Sequence, residues 1–268
     1  MKKVVCLFSM IAVFFISESY AQKEKLVRIS TVETSGSYLA ADNLGYIYLI
    51  NESTLKKFDR DGLLLYTYTE FSDGKISQMD VSDPLKIMIL NADFGKIKYL
   101  DNKLTLKKDF ILLSDLGYPN AQLVAGSYDN GFWLFDPLTN QVVRFDKYLR
   151  ASQNSGNIAD ITGIEVNPAF MTEADNVLYL NDPQQGIFLF DRYGTYLRQV
   201  PLKNLKTFQV FPPRIIFPEG GKLKMFDLKT FEESALDIPC DEEPLQTLWN
   251  NERVYVLTEK TLLIFRME

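Results

Sequence analysis

Histidine is absent from all 268 residues of this chain, and cysteine occurs only twice, as Cys6 and Cys240. Without histidine, neither Ser-His-Asp nor Cys-His catalysis can be built, and metal sites that depend on imidazole are excluded as well. The sequence also has no glycine-rich phosphate loop of either common spacing. An enzyme with this sequence would have to use a pair of carboxylates or a hard metal held by oxygen ligands.

Long hydrophobic runs are lacking after the first 21 residues. At the N-terminus, Lys2 and Lys3 precede an apolar stretch that ends near Ile16, and small residues occupy positions 19 and 21. This order is typical of a secretory signal peptide, and the apolar stretch is too short to span a bilayer. We therefore expect residues 1–21 to be removed and residues 22–268 to act in the periplasm or, alternatively, as a secreted protein.

Excess basic charge is also absent. Removing residues 1–21 takes away Lys2, Lys3 and Glu18 and changes the net charge from −6 to −7. Nucleic acids and anionic membranes are bound by basic surfaces, so the sequence predicts no nucleic-acid partner and no direct membrane insertion. Since Cys240 alone remains after cleavage, no intramolecular disulfide can form, and the fold must depend on its apolar core.

What the chain does contain is a repeat of about forty residues. Each copy has an apolar anchor residue that follows a short apolar strand, and successive anchors are 36 to 45 residues apart. The anchors are Phe58, Leu100, Phe145, Phe190, Phe226 and Phe265. This period, with about four short strands per copy, is typical of propeller blades. Strands such as GIFLF at 186–190 are apolar at consecutive positions, so both of their faces must be buried. The sequence predicts an all-β fold, a single six-bladed β-propeller over residues 22–268.

The last copy ends after its third strand, and residues 25–32 (KLVRISTV) are predicted to complete it. A ring closed in this way has no exposed long edge. An aspartate follows each of the first five anchors: Asp59, Asp101, Asp146, Asp191 and Asp227. An aspartate at the entry of a hairpin can accept hydrogen bonds from the turn amides, so we interpret this series as structural.

Four other carboxylates lie near the predicted innermost strands: Asp42, Asp80, Glu165 and Glu173. They do not recur at one register, and no spacing identifies two of them as a catalytic pair. We interpret them as solvated loop carboxylates. The sequence therefore predicts that the chain is not an enzyme and that it holds no cofactor and no metal.

Apolar residues in predicted connections are the candidates for binding a partner. Leu116 and Tyr118 belong to the segment 113–121, and Phe211 and Pro213 to the segment FQVFPP. Apolar loop residues on one common face would indicate a protein partner. The alternative is that they fold over the ends of the blades.

Two further features of the sequence are a tryptophan near the end of the chain and a polar stretch in its middle. Trp249 follows the predicted innermost strand of the last blade and could reach a face or the channel. The polar stretch 151–163 is predicted to lengthen a connection between blades.

The copies VLYLNDPQQGIFLFDRYG and YIYLINESTLKKFDRDG resemble the blades of NHL-type and TolB-like six-bladed propellers. The resemblance covers nearly the whole mature chain and departs from the WD type, since no copy carries the Gly-His or Trp-Asp signature. It implies a scaffold or a binder of peptides or proteins. A minority of this group are calcium-dependent hydrolases, but their carboxylate and asparagine set has no recognisable counterpart here.

In its signal peptide, size, acidic mature chain and abundance of Lys, Asn, Tyr and Phe, the sequence is also similar to small periplasmic proteins of Bacteroidetes. Among these it is similar to the plug subunit that closes the periplasmic mouth of the type IX secretion translocon, which implies a monomeric disc that covers a pore. Two hypotheses follow. The favoured one is a non-catalytic periplasmic β-propeller that binds a protein partner such as an outer-membrane translocon. The alternative is a calcium-dependent hydrolase or small-ligand binder acting at the central channel.

Overall fold

The computed structural model describes residues 25–107 and 110–268, so the predicted signal peptide lies outside the described residues. The described residues form six four-stranded antiparallel sheets. They also include one short helix, α1 (Ile158–Thr162), and 3-10 turns at Ala92–Phe94 and Tyr128–Asn130. No helix in this part of the chain is long and apolar enough to cross a membrane.

The sheets follow one another along the chain as blades. Blade 1 contains β2 (Tyr38–Ala41), β3 (Ile47–Asn51), β4 (Thr54–Phe58) and β5 (Leu64–Thr69), and blade 2 contains β6 (Gln78–Asp80), β7 (Ile87–Asn91), β8 (Lys96–Leu100) and β9 (Ile111–Leu112). Blade 3 contains β10 (Leu123–Gly126), β11 (Phe132–Asp136), β12 (Gln141–Phe145) and β13 (Ala151–Asn154), and blade 4 contains β14 (Phe170–Ala174), β15 (Val177–Asp182), β16 (Gly186–Asp191) and β17 (Tyr196–Val200). Blade 5 contains β18 (Gln209–Phe211), β19 (Arg214–Glu219), β20 (Lys222–Asp227) and β21 (Glu233–Asp237). Blade 6 contains β22 (Gln246–Asn250), β23 (Arg253–Leu257), β24 (Thr261–Met267) and, from the start of the described chain, β1 (Leu26–Glu33).

The six blades form a closed ring, which confirms the predicted six-bladed β-propeller. Strand β1 pairs antiparallel with β24 from Leu26 opposite Met267 to Glu33 opposite Thr261, with one irregularity between Arg28 and Ser30. The predicted completion of the last blade by residues 25–32 is therefore confirmed. This pairing joins the two ends of the described chain and covers the outer edge of β24.

The middle strands of each blade are buried on both faces. In β16, Phe188 and Phe190 pack in the core between blades 3 and 4, whereas Ile187 and Leu189 pack in the core between blades 4 and 5. This explains why the strand is apolar at consecutive positions. All six anchor residues are buried, the most exposed being Phe226 at 7%.

The aspartates that follow the anchors hold the turns, as predicted. Asp191 Oδ1 accepts hydrogen bonds from the amides of Tyr193 at 2.8 Å and Thr195 at 2.9 Å. The same bonds to the second and fourth following amides occur at Asp59, Asp101 and Asp146, while Asp227 accepts from the second and third. These amide bonds lower the pKa of Asp101, Asp146 and Asp227.

Two stretches that the sequence assigned to connections are strands instead. Gln209–Phe211 forms β18, the innermost strand of blade 5, although two prolines follow it directly. Ala151–Asn154 forms β13, the outer strand of blade 3, so only the part from residue 155 onward, with helix α1, lengthens the connection. Both strands are short and carry polar residues, because one lines the channel and the other the rim of the ring.

The ring has two faces that follow from the alternating strand directions. We call the turn face the end where the first strand of a blade turns into the second and the third into the fourth. We call the linker face the opposite end, which carries the connections between blades and the turns between second and third strands. Residues that precede the first strand of a blade therefore lie on the linker face, and residues that follow it lie on the turn face.

Candidate functional site

The central channel forms a cavity of about 670 Å³ that is lined by the innermost strand of every blade. These strands are β2, β6, β10, β14, β18 and β22. Each is the edge strand of its blade, and its unpaired edge faces the channel. A concave, partly apolar cavity with a few convergent polar groups is the usual form of a ligand site.

Three of the four carboxylates singled out from the sequence line this cavity: Asp42, Asp80 and Glu173. Glu173 Oε2 accepts hydrogen bonds from the Ser127 hydroxyl and from the Trp133 indole, both at 2.6 Å, across the boundary between blades 3 and 4. The fourth, Glu165, lies in the connection before blade 4 and is exposed. The interpretation as solvated loop carboxylates therefore fits Glu165 but not the other three, which β-strand geometry brings to the channel.

Asp42 and Asp80 are held by hydrogen-bond donors of their own and of neighbouring blades. Asp42 is 2% exposed, and its Oδ2 accepts a hydrogen bond from the Tyr48 hydroxyl at 2.9 Å. Asp80 Oδ2 accepts from the amide of Gly126 in blade 3 at 2.7 Å. Both carboxylates are therefore fixed in position at the turn-face end of the channel.

Aromatic rings meet across the channel toward the linker face. Tyr38 of blade 1 and Phe170 of blade 4 belong to opposite blades, yet their ring centroids are only 6.2 Å apart. Phe208 of blade 5 packs edge-on against Phe170 at 5.2 Å. Burial and the nearby charge of Asp80 raise the pKa of Tyr38, so its hydroxyl stays protonated. These rings narrow the channel and give it an apolar wall.

Glutamines join several innermost strands to the next blade. The side-chain amide of Gln246 accepts from Leu39 N at 2.8 Å and donates to Leu39 O at 2.6 Å, and Gln209 makes the same pair of bonds to Trp249 at 2.8 Å each. Gln78 accepts from Val124 N at 2.8 Å. These bonds satisfy backbone groups that would otherwise face the channel unpaired. No local pattern in the sequence predicts these bonds, since each joins strands that are forty or more residues apart.

The acidic residues do not form a metal site in the part of the chain that the structure describes. Within residues 25–107 and 110–268, no group of three or more His, Cys, Asp or Glu residues is placed to hold a metal ion. The acids that line the channel come from different blades, and each is engaged by its own donors.

The turn face carries a second feature. In blades 1 to 5, the turn between the third and fourth strands exposes at least one large apolar side chain, and the turns of blades 2 and 3 expose a second, Phe110 and Leu149. We call the most exposed of each turn the apolar turn ring: Leu63, Leu106, Tyr148, Tyr193 and Phe231.

On the linker face, the exposed large apolar residues are divided between the connections from blade to blade and the turns between second and third strands. They are Phe71, Ile161 and Leu245 in connections and Phe94 and Leu138 in turns.

The structure separates the partner-binding residues that were predicted to share one face. Leu116 and Tyr118 precede β10 and lie on the linker face, where both pack against the core and Tyr118 contacts Phe145 edge-on at 5.7 Å. Phe211 ends β18 and Pro213 follows that strand, so both lie on the turn face, where Phe211 is 44% exposed. The prediction of one common face is thus wrong, because strand direction places the two segments at opposite ends of the channel.

Trp249 lies on the innermost strand β22 and is partly buried. Its indole donates a hydrogen bond to the backbone oxygen of Asn251, and its ring packs against the core between blades 5 and 6. The sequence left open a position on a face or in the channel; the ring of Trp249 lies between blades 5 and 6 toward the turn face, and the residue does not line the channel cavity.

Comparisons with protein-family models and with curated proteins give no match. Solved structures do match. A streptogramin B lyase is 13% identical with a TM-score of 0.63, and the match covers 91% of this chain and 97% of the lyase. Virginiamycin B lyase from Staphylococcus aureus, bound to quinupristin, is 12% identical with a TM-score of 0.60, covering 91% and 99% of the two chains. BamB from Moraxella catarrhalis is 11% identical with a TM-score of 0.50, covering 90% and 100%.

These neighbours correct the prediction that the chain is not an enzyme. Lyases are among the propellers that match it over nearly their full length, so the missing histidine and the missing calcium set were too narrow a basis for excluding catalysis. The matches give no support to the narrower resemblance to the type IX plug. At this level of identity they show the fold alone, and they confirm the resemblance to NHL-type and TolB-like six-bladed propellers.

Proposed function

We propose that this protein is an exported β-propeller that binds a protein partner across its turn face. The observation that carries the proposal is the apolar turn ring, in which five consecutive blades expose a large apolar side chain in the turn between their third and fourth strands. Exposed apolar side chains that recur on one face of a rigid scaffold are typical of a docking surface. Phe211 and Pro213 lie on the same face and extend this surface toward the channel mouth.

The chemistry of the turns indicates what the partner surface should be like. Each of the five turns also carries a basic residue: Arg60, Lys103, Lys147, Arg192 and Lys229. The aspartate of each turn is directed back onto its own amides, as at Asp146 and Asp191. The turns also expose Asp61 and Glu232, but the other exposed charged side chains of the turns, among the described residues, are cationic. We therefore expect a partner surface that combines apolar with acidic groups.

The proposed location is the periplasm, with secretion as the alternative, because residues 1–21 have the order of a signal peptide. We propose that the mature protein is a monomer when free and that its partner belongs to the cell envelope. The resemblance of the sequence to the plug of the type IX translocon makes that complex the first partner to look for.

A pull-down from envelope solubilised in mild detergent tests the proposal. The bait is the mature protein, and the turn-face variant carries Tyr148→Asp and Tyr193→Asp. Both residues are well exposed, so we expect an unchanged melting temperature and a loss of the partner. The matched control carries Phe71→Asp and Leu138→Asp on the linker face, where both residues are at least as exposed as the two tyrosines, and should recover the partner as the wild type does.

Two results would contradict the proposal. One is recovery of the partner by the turn-face variant at the wild-type level while the linker-face variant loses it. The other is binding of the wild-type protein to protein-free lipid vesicles through the same tyrosines, because apolar and basic groups on one face can also serve a lipid surface.

A further inference from the structure

The channel cavity is lined by the carboxylates of Asp42, Asp80 and Glu173. No lysine or arginine of residues 25–107 and 110–268 lines it. In the part of the chain that the structure describes, none of the three carboxylates forms an ion pair. A concave site with charge of one sign and apolar walls concentrates ions of the opposite sign.

Three cations lie near these carboxylates outside the cavity, and each has other partners. Lys57 Nζ donates a hydrogen bond to Asn102 O at 2.9 Å, and its burial lowers its pKa despite the charge of Asp42. Arg144 Nε donates to the Ser127 hydroxyl at 2.9 Å and stacks over the ring of Tyr128.

Lys86 is the third cation and lines a neighbouring cavity together with Asp80. Its Nζ donates a hydrogen bond to Asn130 O at 3.1 Å and lies over the ring of Tyr99. None of the three cations lines the channel cavity, so the negative charge at the channel mouth remains open to a ligand.

A buried hydroxyl beside the cavity has no partner. Thr247 lines the cavity on β22, is only 5% exposed, and its Oγ1 makes no hydrogen bond. Buried hydroxyls are nearly always bonded, and an open one beside a cavity points to a ligand or an ordered water that completes it. This observation is independent of the carboxylates, because Thr247 belongs to a different blade from all three.

We propose that the channel cavity binds an organic cation, a protonated amine or guanidinium carried on an apolar stem. The carboxylates of Asp80 and Glu173 would face the charged head at the turn-face mouth, where charge-assisted hydrogen bonds are strong. The rings of Tyr38 and Phe170 would contact the stem, since aromatic faces attract both apolar groups and cations. This inference goes beyond docking on the turn face, because it concerns the isolated propeller. The cation is either a free small molecule or a basic side chain of the docked partner.

Calorimetric titration of the mature protein with three probes of similar shape tests the proposal. The probes are phenethylammonium, neutral 2-phenylethanol and anionic 3-phenylpropionate. We expect the amine to bind at least about tenfold more tightly than the alcohol, with the acid weakest, and the preference to shrink as salt is added. Two results would overturn the proposal. One is equal binding of the amine and the alcohol. The other is that neither the amine, at millimolar concentration, nor a lysine-containing pentapeptide binds.

Variants then locate the site. Asp80→Asn with Glu173→Gln keeps hydrogen-bond acceptors in place and removes two charges, so we expect amine affinity to fall at least about tenfold and alcohol affinity to stay the same. Asp191→Asn removes a carboxylate charge on the outer turn and serves as the control, with no change expected. Unchanged amine affinity in the channel variant would overturn the assignment. If that variant does not fold, the comparison of amine with alcohol in the wild-type protein still tests whether the protein prefers a cation.

A blocked pentapeptide with one central lysine, compared with its norleucine analogue, distinguishes the two sources of the cation. Binding of the free amine supports a small-molecule ligand. Binding of the lysine peptide alone supports insertion of a side chain from the partner. These titrations use the isolated protein, so their failure is separate from a failure of the pull-down.

Discussion

Lys98 Nζ of blade 2 is bonded to the carboxylate of Asp73, which lies in the connection from blade 1, and both side chains are buried. Lys96 Nζ bonds the other carboxylate oxygen at 2.6 Å, and Lys98 also donates to the Tyr68 hydroxyl at 3.2 Å. The two lysine bonds lower the pKa of Asp73. Burial opposes the charge of Lys98, but its bonds to Asp73 and Tyr68 raise its pKa on balance.

We expect Asp73→Asn to destabilise the protein by about 3 kcal/mol at neutral pH, the low end for a broken buried pair, because Lys98 keeps the Tyr68 hydroxyl as a partner. A depressed pKa contributes stability above the ordinary value of 3.8, and that stability is lost as the pH falls through the folded pKa. Urea unfolding of wild type and variant should therefore converge as the pH is lowered from about 7 to about 3. A difference that stays constant over this range would show that the pair is not the cause.

Closure of the ring by β1 gives a second prediction. Deleting residues 22–33 removes β1 and uncovers β24 and the apolar side chains that pack on it, so the whole domain should melt cooperatively at least about 10 °C lower. Deleting only residues 22–24, which precede β1, is the control and should leave the melting temperature unchanged. A wild-type melt for the longer deletion would contradict the closure.

Substitutions at anchor positions should lower the free energy of unfolding more than substitutions at turn positions. Phe190→Ala leaves a cavity between blades 3 and 4, and we expect it to cost about 3–5 kcal/mol. Asp191→Ala removes hydrogen bonds in an outer turn and should cost about 1 kcal/mol. Equal costs in urea unfolding would show that the two positions do not play these separate roles.

Tyr118 was chosen from the sequence as a candidate for partner binding, but its contact with Phe145 gives it a packing role as well. We expect Tyr118→Ala to lower the stability by about 1 kcal/mol, the scale of an aromatic pair, and Tyr118→Phe to retain it. Thermal melting of the two variants measures this. Identical melts for both would show that the edge-on contact contributes nothing.

Most of the fold could be predicted from the forty-residue repeat. The anchors Phe145 and Phe190 and their following aspartates recur because every blade needs a doubly buried third strand and a tight turn, and such local requirements are visible in the sequence. The hydrogen bonds that Gln78 and Gln246 make to the next blade could not be predicted from the sequence. Gln246 and Leu39 are 207 residues apart, and no local pattern indicates such a contact.

The candidate site was predicted only in part. Asp42, Asp80 and Glu173 were found by their positions near innermost strands, but their convergence depends on the ring. The strand that ends at Phe211 was not predicted, because two prolines follow it directly and a proline usually interrupts a strand. Tyr118 precedes the first strand of blade 3 whereas Phe211 ends the first strand of blade 5, so the two residues lie on opposite faces, and a correct assignment of the first strands would have predicted this.

Docking on the turn face is tested most directly by a photoreactive amino acid placed at Tyr193 of the apolar turn ring, with the same residue at Leu138 of the linker face as the control. Both positions are exposed, so neither substitution should disturb the fold. On irradiation in intact cells, position 193 is expected to form a covalent adduct with one envelope protein and position 138 to form none with it. An adduct at 138 without one at 193 would contradict docking on the turn face.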